Sequence, residues 1–305
     1  MSLSARFDPS NLLRPKSIEE ALLELKKQAG RARIVGGNTT LYELARQGAL
    51  ADVETLIDLG SLGLDYVKYS DRQFVIGCST TLAEIAGSNT IRNSPCAFAL
   101  SECAGKITPP QVRNMATIGG AICSAIPFYD MPTVLYSLDA KVRVLSLDRG
   151  TRELDMDSFF VDYFVTSLAP DEMVVEIIVP NFSNNFSAFR KLGRTSADFA
   201  VVNAAARLGY DEETNRIVSA RISLGAITST PIRAKESEEL LIGSAPNEKL
   251  IQEASRIALN GTEPTPSIHA SSEYKKKIAA VLVRDVITSA LDKAGVSIPK
   301  SRSEK

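Results

Sequence analysis

The chain has 305 residues, 44% of them hydrophobic and 23% charged, with 35 basic against 36 acidic side chains and a net charge of −1. That length carries two domains with substantial cores, and the charge balance excludes an electrostatic binder of nucleic acid or anionic membrane. No apolar run reaches the length of a membrane span, MSLSARFDPS lacks the apolar centre of a secretion signal, and a cytoplasmic protein is the expectation.

The four cysteines, Cys78, Cys96, Cys103 and Cys123, form no Cys-x-x-Cys and no zinc or iron–sulfur spacing. They read as buried free thiols. A single histidine, His269, excludes a multi-histidine metal centre.

In chain order, Ser17-x-x-Glu20 opens a helix as a capping box, Ile18, Ala21, Leu22 and Leu25 give its apolar face, and Gly30 ends it. A strand at 32–35 leads into Gly36-Gly37, a helix from Thr40 to Gln47 stops at Gly48, and 55–58 is a short strand. A second lobe starts near Gly63, with a strand at 73–78 and a capping box at Thr81-x-x-Glu84. Pro95 is expected at the first position of a helix reaching Ala104. A helix at 131–138 and strands at 141–146 and 173–180 follow, the last apolar enough to be buried on both faces. The turn-rich segment Pro180–Asn185 is the expected domain boundary. Strands near 186–192, 200–210 and 217–228, then helices near 235–242, 247–260 and 271–294, read as a separate α+β domain. The tail SIPKSRSEK is expected to be disordered.

Two stretches carry chemistry. In 32–41, ARIVGGNTTL, an apolar strand enters a glycine pair and then a hydroxyl-rich helix start, which is the layout of a phosphate cradle. In 107–130, ITPPQVRNMATIGGAICSAIPFYD, a second glycine pair lets the backbone approach a ligand closely. Successive free amides there would attract phosphate; a tight turn inside a core is the competing reading. Neither stretch is a Gly-x-Gly-x-x-Gly fingerprint or a P-loop. Two glycine loops suit a diphosphate gripped from two sides.

VGGNTTL and PQVRNMATIGGAI resemble the two flavin-binding loops of the FAD-binding (medium) subunit of molybdenum hydroxylases, the family of the carbon monoxide dehydrogenase medium chain and the xanthine dehydrogenase FAD subunit. The similarity continues through LIDLGSL, FVIGCSTTLAEI, FRKLGRTSADFAVVNAAARL, GAITSTPIRA and SSEYKKKIAAVLVRDVI, across nearly the whole chain. It implies an α+β fold: a two-lobed FAD-binding domain of the vanillyl-alcohol oxidase and carbon monoxide dehydrogenase type over 1–180, with lobes of about 1–60 and 61–180, and a C-terminal α+β domain over 186–298. It implies FAD on this chain, with molybdopterin on a large partner and [2Fe–2S] clusters on a small one, and delivery of electrons to NAD, a quinone or oxygen.

The cofactor-binding residues it implies are Val35, Gly36, Gly37, Asn38, Thr39, Thr40 and Leu41 in the first loop, and Thr117, Ile118, Gly119, Gly120 and Ser124 in the second. Asp130, Leu168 and Lys191 complete them. Asp130 reads either as a ligand to FAD hydroxyls or as the N-cap of the next helix. Lys191 reads either as a cation beside the flavin ring or as an exposed strand lysine, and Asp198 as a ring contact or a turn residue. Arg113 is expected to be structural, Phe128 to be core, and Lys275-Lys276-Lys277 to be a solvated helix face. Ala121 stands where the family commonly has Asn, and His269 where it more often has Arg. Two other readings stay open on the residues: a free-standing reductase of the UDP-N-acetylenolpyruvoylglucosamine reductase type, and a flavin-free assembly subunit.

Overall fold

The computed structural model describes residues 9–28, 30–46 and 50–298. The expected helix end at Gln47-Gly48 and the tail beyond residue 298 lie outside them.

Three parallel strands form the first sheet, in the order Asn11–Leu13, Thr55–Asp58, Ala32–Val35. The first of these was not anticipated: three residues are too few for a periodic pattern to show. Helix Ile18–Gln28 buries Ala21, Leu22 and Leu25 as expected. Ser17 Oγ accepts from the Glu20 amide at 3.2 Å, but the Glu20 carboxylate reaches back to the Lys16 amide at 2.7 Å, one residue before the cap.

A five-stranded antiparallel sheet follows, in the order Val67–Ser70, Gln73–Gly77, Glu172–Pro180, Lys141–Ser146, Gly150–Asp155. The central strand Glu172–Pro180 is buried on both faces: it pairs with Gln73–Gly77 and Lys141–Ser146 along its two edges, and helices Ile18–Gln28 and Ile118–Cys123 pack against it. Thr81 and Glu84 complete a reciprocal capping box on helix Leu82–Gly87. After the one-turn helix Asn89–Arg92, the helix expected from Pro95 begins only at Phe98: Pro95 lies in a turn, where Ser94 Oγ accepts from the Ala97 amide at 3.2 Å.

The third sheet is antiparallel, Asn185–Leu192, Val202–Asp211, Arg216–Gly225 and Ile232–Arg233. Helices Lys235–Leu241, Glu248–Ile257 and Ser272–Lys293 follow, and the last packs across its first two strands. Two apolar clusters result, one beneath the first two sheets and one beneath the third. Phe189 and Ala205 of the third sheet belong to the first cluster, so the two cores are joined. The lysine run departs from expectation: Lys275 is buried and donates to the Ala226 carbonyl at 2.7 Å, while Lys276 and Lys277 pair with Glu263 and Glu273. Cys78, Cys96 and Cys103 are buried, but Cys123 is exposed. No described helix is long and apolar enough to cross a membrane.

Lys293, at the end of the last helix, is held against Ser187 O at 2.7 Å and over the Phe98 ring at 4.0 Å, with Glu102 3.9 Å away. Burial lowers its pKa to about 8, and Glu102 opposes that shift only partly. Since the folded pKa lies below the unfolded value of about 10.4, the unfolded chain holds more protons between these limits, and stability rises with pH from about 8 to 10. The gain is on the order of 2 kcal/mol after screening. Lys293→Met should flatten that rise in thermal melts taken from pH 7.5 to 10; an identical pH slope in wild type and variant would refute the assignment.

Candidate functional site

Val35 is buried at the end of its strand, and Gly36-Gly37 turn the chain into helix Thr39–Arg46, with Asn38 in the left-handed region at φ 59°. Amides in the first turn of a helix have no intrahelical acceptor. Among the described residues, none of the amides of Gly37, Asn38, Thr39, Thr40 and Leu41 meets a protein acceptor. The helix N-terminus adds a partial positive charge. Such a segment, half-open to solvent, has the geometry to accept an anion.

The second glycine pair is built differently. Ile118–Cys123 is a short helix capped by Thr117, whose Oγ accepts from the Gly120 amide at 3.1 Å. The Ile118, Gly119 and Ala121 amides bond to the carbonyls of Thr80, Cys78 and Thr117 at 3.0, 2.9 and 2.9 Å. The expected row of free amides is therefore absent, because the neighbouring segment 78–80 and the Thr117 cap use them. What the glycines supply is proximity. A Cβ on Gly119 would meet Cys78 O at 2.7 Å, and one on Gly37 would meet Met115 O at 1.6 Å. One on Gly36 would meet Thr117 Oγ1 at 3.0 Å. The two loops are thus packed backbone against backbone, with Thr117 at their contact and the exposed Gly120 beyond it.

Arg113 is held by the carbonyls of Gly105 and Ile107 at 3.0 and 3.3 Å, a structural role as expected. Ser124 Oγ donates to Ala121 O at 3.4 Å. Ala121 is buried. Tyr129 and Thr40 share a hydroxyl contact of 2.9 Å, which ties the second stretch to the first helix. Phe128 is half-buried rather than core: its ring and that of Tyr129 lie 4.9 and 5.6 Å from the ring of Phe199, which is exposed.

Asp130 is the first residue of helix Asp130–Ser137, not its N-cap; Tyr129 holds that position and makes no side-chain capping bond to the helix. The buried Asp130 carboxylate instead accepts from Lys191 Nζ and from Asn203 Nδ2, each at 2.8 Å. Lys191 is correspondingly no exposed strand lysine: its side chain is 12% accessible, and Nζ also lies 3.5 Å from Asp198 O. The Asp198 carboxylate accepts from the Thr195 amide at 3.1 Å, a turn contact. Leu168 is half-buried and packs against the first core cluster. His269 is exposed, and the last helix is capped by Ser271 rather than by it.

Sequence reasoning missed Asn203 and Phe199. Asn203 had a readable signal: one amide inside the apolar run Ala200–Ala206 has to find a partner when the strand is buried.

The geometry fits a flavin dinucleotide. Unbonded amides at a helix mouth suit the diphosphate, the glycine contacts keep the loops close, and the largely buried Lys191–Asp130 pair adds a charged, hydrogen-bonding group nearby. Comparison with known proteins agrees. Residues 6–182 match the FAD binding domain in molybdopterin dehydrogenase, and 187–290 match the CO dehydrogenase flavoprotein C-terminal domain. The chain belongs to the family of FAD-binding medium subunits of molybdenum hydroxylases and is an oxidoreductase subunit.

Among its relatives, the 6-hydroxypseudooxynicotine dehydrogenase complex subunit alpha of Paenarthrobacter nicotinovorans is 33% identical, over 91% of this chain and 93% of that protein. The carbon monoxide dehydrogenase medium chain of Hydrogenophaga pseudoflava is 29% identical, over 90% and 95%. A solved carbon monoxide dehydrogenase from H. pseudoflava, lacking the Mo-pyranopterin moiety, aligns with a TM-score of 0.88 at 27% identity, over 94% of this chain and 98% of that one. Quinoline 2-oxidoreductase from Pseudomonas putida 86 aligns with a TM-score of 0.87 at 26% identity, over 95% and 99%.

Proposed function

We propose that this chain is the electron outlet of a multi-subunit molybdopterin-dependent dehydrogenase or hydroxylase in the cytoplasm. A large partner chain oxidises the substrate at molybdopterin, and a small partner carries [2Fe–2S] clusters. Bound FAD supplies two-electron redox chemistry, collecting electrons from the clusters and releasing them to NAD, a quinone or oxygen. Three features support the reading: the cradle at 37–41, family membership, and the absence of any cluster of metal-ligating side chains among the described residues. In this proposal the redox centres that feed the flavin are carried by the partner chains.

This chain's residues bind and orient. The amides at 37–41 hold the diphosphate, with Val35, Gly36, Thr117, Ile118, Gly119, Gly120 and Ser124 shaping the same wall. Lys191 faces the flavin, where its charge favours the reduced, anionic form; Asp130 binds a hydroxyl of the ligand and Leu168 borders the ring. The division into an FAD-binding unit to about residue 180 and a C-terminal unit from 186 belongs to the same proposal.

Protein purified or reconstituted with FAD is expected to show flavin absorbance that acid releases, and co-expression with its partner chains to yield a complex holding molybdenum, iron and FAD. Alone, it should hydroxylate no aldehyde or purine. A folded protein that takes up no flavin would sink the reading, as would an isolated chain turning over a substrate at an ordinary enzymatic rate.

A further inference from the structure

Asn203 lies on strand Val202–Asp211, directly opposite Lys191 on the neighbouring strand, and is completely buried. Its Nδ2 donates to Asp130 Oδ1 at 2.8 Å and lies 3.3 Å from Tyr129 O. Its Oδ1 accepts from Thr133 Oγ at 2.7 Å. The Asp130 carboxylate and the Tyr129 carbonyl are acceptors only, so they fix which end of the amide carries the NH2 group, and its oxygen is left to accept from the Thr133 hydroxyl. The neighbouring strand makes room: a Cβ on Gly225 would meet Thr133 Oγ1 at 2.1 Å and Asn203 Oδ1 at 2.3 Å. Asp130 Oδ1 is thereby occupied by a neutral donor, and Oδ2 alone faces Lys191 Nζ, also at 2.8 Å.

We propose that Asn203 is a positioning residue for the flavin: by holding one oxygen of Asp130 it sets how much of the Lys191 charge is neutralised and how much acts on the ligand. This deepens the preceding proposal and rests on its placement of Lys191 beside FAD. The physical reason is competition. An amide donor on Oδ1 shares the carboxylate charge, so Asp130 draws less on Lys191. Without that donor, Asp130 turns more fully to Lys191, and the positive potential at the ligand falls. Reduced flavin is then held less tightly relative to oxidised flavin.

The test is the midpoint potential of FAD in the reconstituted chain. In Asn203→Leu, which keeps the side-chain volume and removes both polar atoms, the preference for reduced over oxidised FAD should fall about tenfold, a drop of about 30 mV for a two-electron couple. Thr133→Val leaves Asn203 Oδ1 without its donor, loosens the hold of the amide on Asp130, and should shift the potential in the same direction by less. In an Asp130→Asn background, Asn203→Leu should shift nothing, because the carboxylate it works through is gone.

A purely structural role would lower the melting temperature and FAD affinity while leaving the potential unmoved, and that result in either folded variant overturns the proposal. If Asn203→Leu does not fold, Thr133→Val alone decides. Failure of the wild-type chain to bind FAD overturns the flavoprotein reading itself, and is seen before any variant is made.

Discussion

Gly37→Ala should abolish FAD binding, with the dissociation constant raised beyond about a hundredfold, or about 2.7 kcal/mol. The added Cβ would stand 1.6 Å from the carbonyl oxygen of Met115, inside any tolerable contact. That partner is backbone, at the end of helix Pro110–Met115, so no rotamer change relieves the clash. The first loop has to move away from the second, and the unbonded amides of 37–41 lose their alignment with Thr117. Gly119→Val disturbs the same wall from behind, against Cys78 O and Cβ at 2.7 and 2.9 Å. It should cost fold stability as well as binding, because the glycine is buried and its amide bonds to Cys78 O. Gly87→Ala is the control. It ends helix Leu82–Gly87, a Cβ there meets nothing within 4 Å, and the change should leave binding intact and stability equal or slightly higher. Flavin fluorescence titration decides. Wild-type affinity in Gly37→Ala would show that loop contact does not shape the site.

That result also bears on what the sequence could and could not disclose. The glycine pairs announced a place where backbones come close, but not what they approach. From the sequence, Gly37 and Gly119 look like openings for a ligand; a Cβ on either would meet protein backbone, and the unbonded amides run from Gly37 to Leu41. The strand Glu172–Pro180 was legible because burial on both faces leaves an unbroken apolar run. Strand Val67–Ser70 and strand Gly150–Asp155 were not, because edge strands with mostly exposed side chains carry no periodic apolar signal. Pro95 misplaced a helix start because proline fits a turn as well as a first helical position. The solvated reading of Lys275 and the exposed alternative for Lys191 fail for one shared reason. A lysine is assigned to solvent by default, and only the fold shows that Asp130 waits for one and the Ala226 carbonyl for the other.

Asp139→Asn should be the most destabilising single-charge change in the molecule. Asp139 follows helix Asp130–Ser137 with φ at 52°, and this left-handed position turns its carboxylate toward the third sheet. There it accepts from Arg207 and from Arg221 Nε at 3.0 and 3.1 Å, with Arg233 Nη1 at 3.8 Å. Arg207 is the exposed flank of nothing: its side chain is 5% accessible, between the Phe182 ring at 4.3 Å and the long contacts to Ser137 O and Asn185 Oδ1 at 3.4 Å. Burial pulls its pKa down, while Asp139 is the main group holding it up; Arg221 and Arg233 push it down further. Asparagine keeps the shape and tolerates the left-handed backbone, so the variant isolates the charge. Three guanidinium groups then face one another with only Glu238 left to answer Arg233. Leaving a buried cation uncompensated costs about 3 kcal/mol or more, a fall in melting temperature of roughly 6–12 °C for a chain of this size. The comparison is Glu273→Gln, which removes an exposed partner of Lys277 and should change stability by no more than about 0.5 kcal/mol. Because the arginines stand on the third sheet and Asp139 on the unit before it, loosening should begin where the two cores join, with amide exchange rising first around Phe189 and Ala205. A melting temperature within about 2 °C of wild type would mean that water, not Asp139, carries the compensation of Arg207.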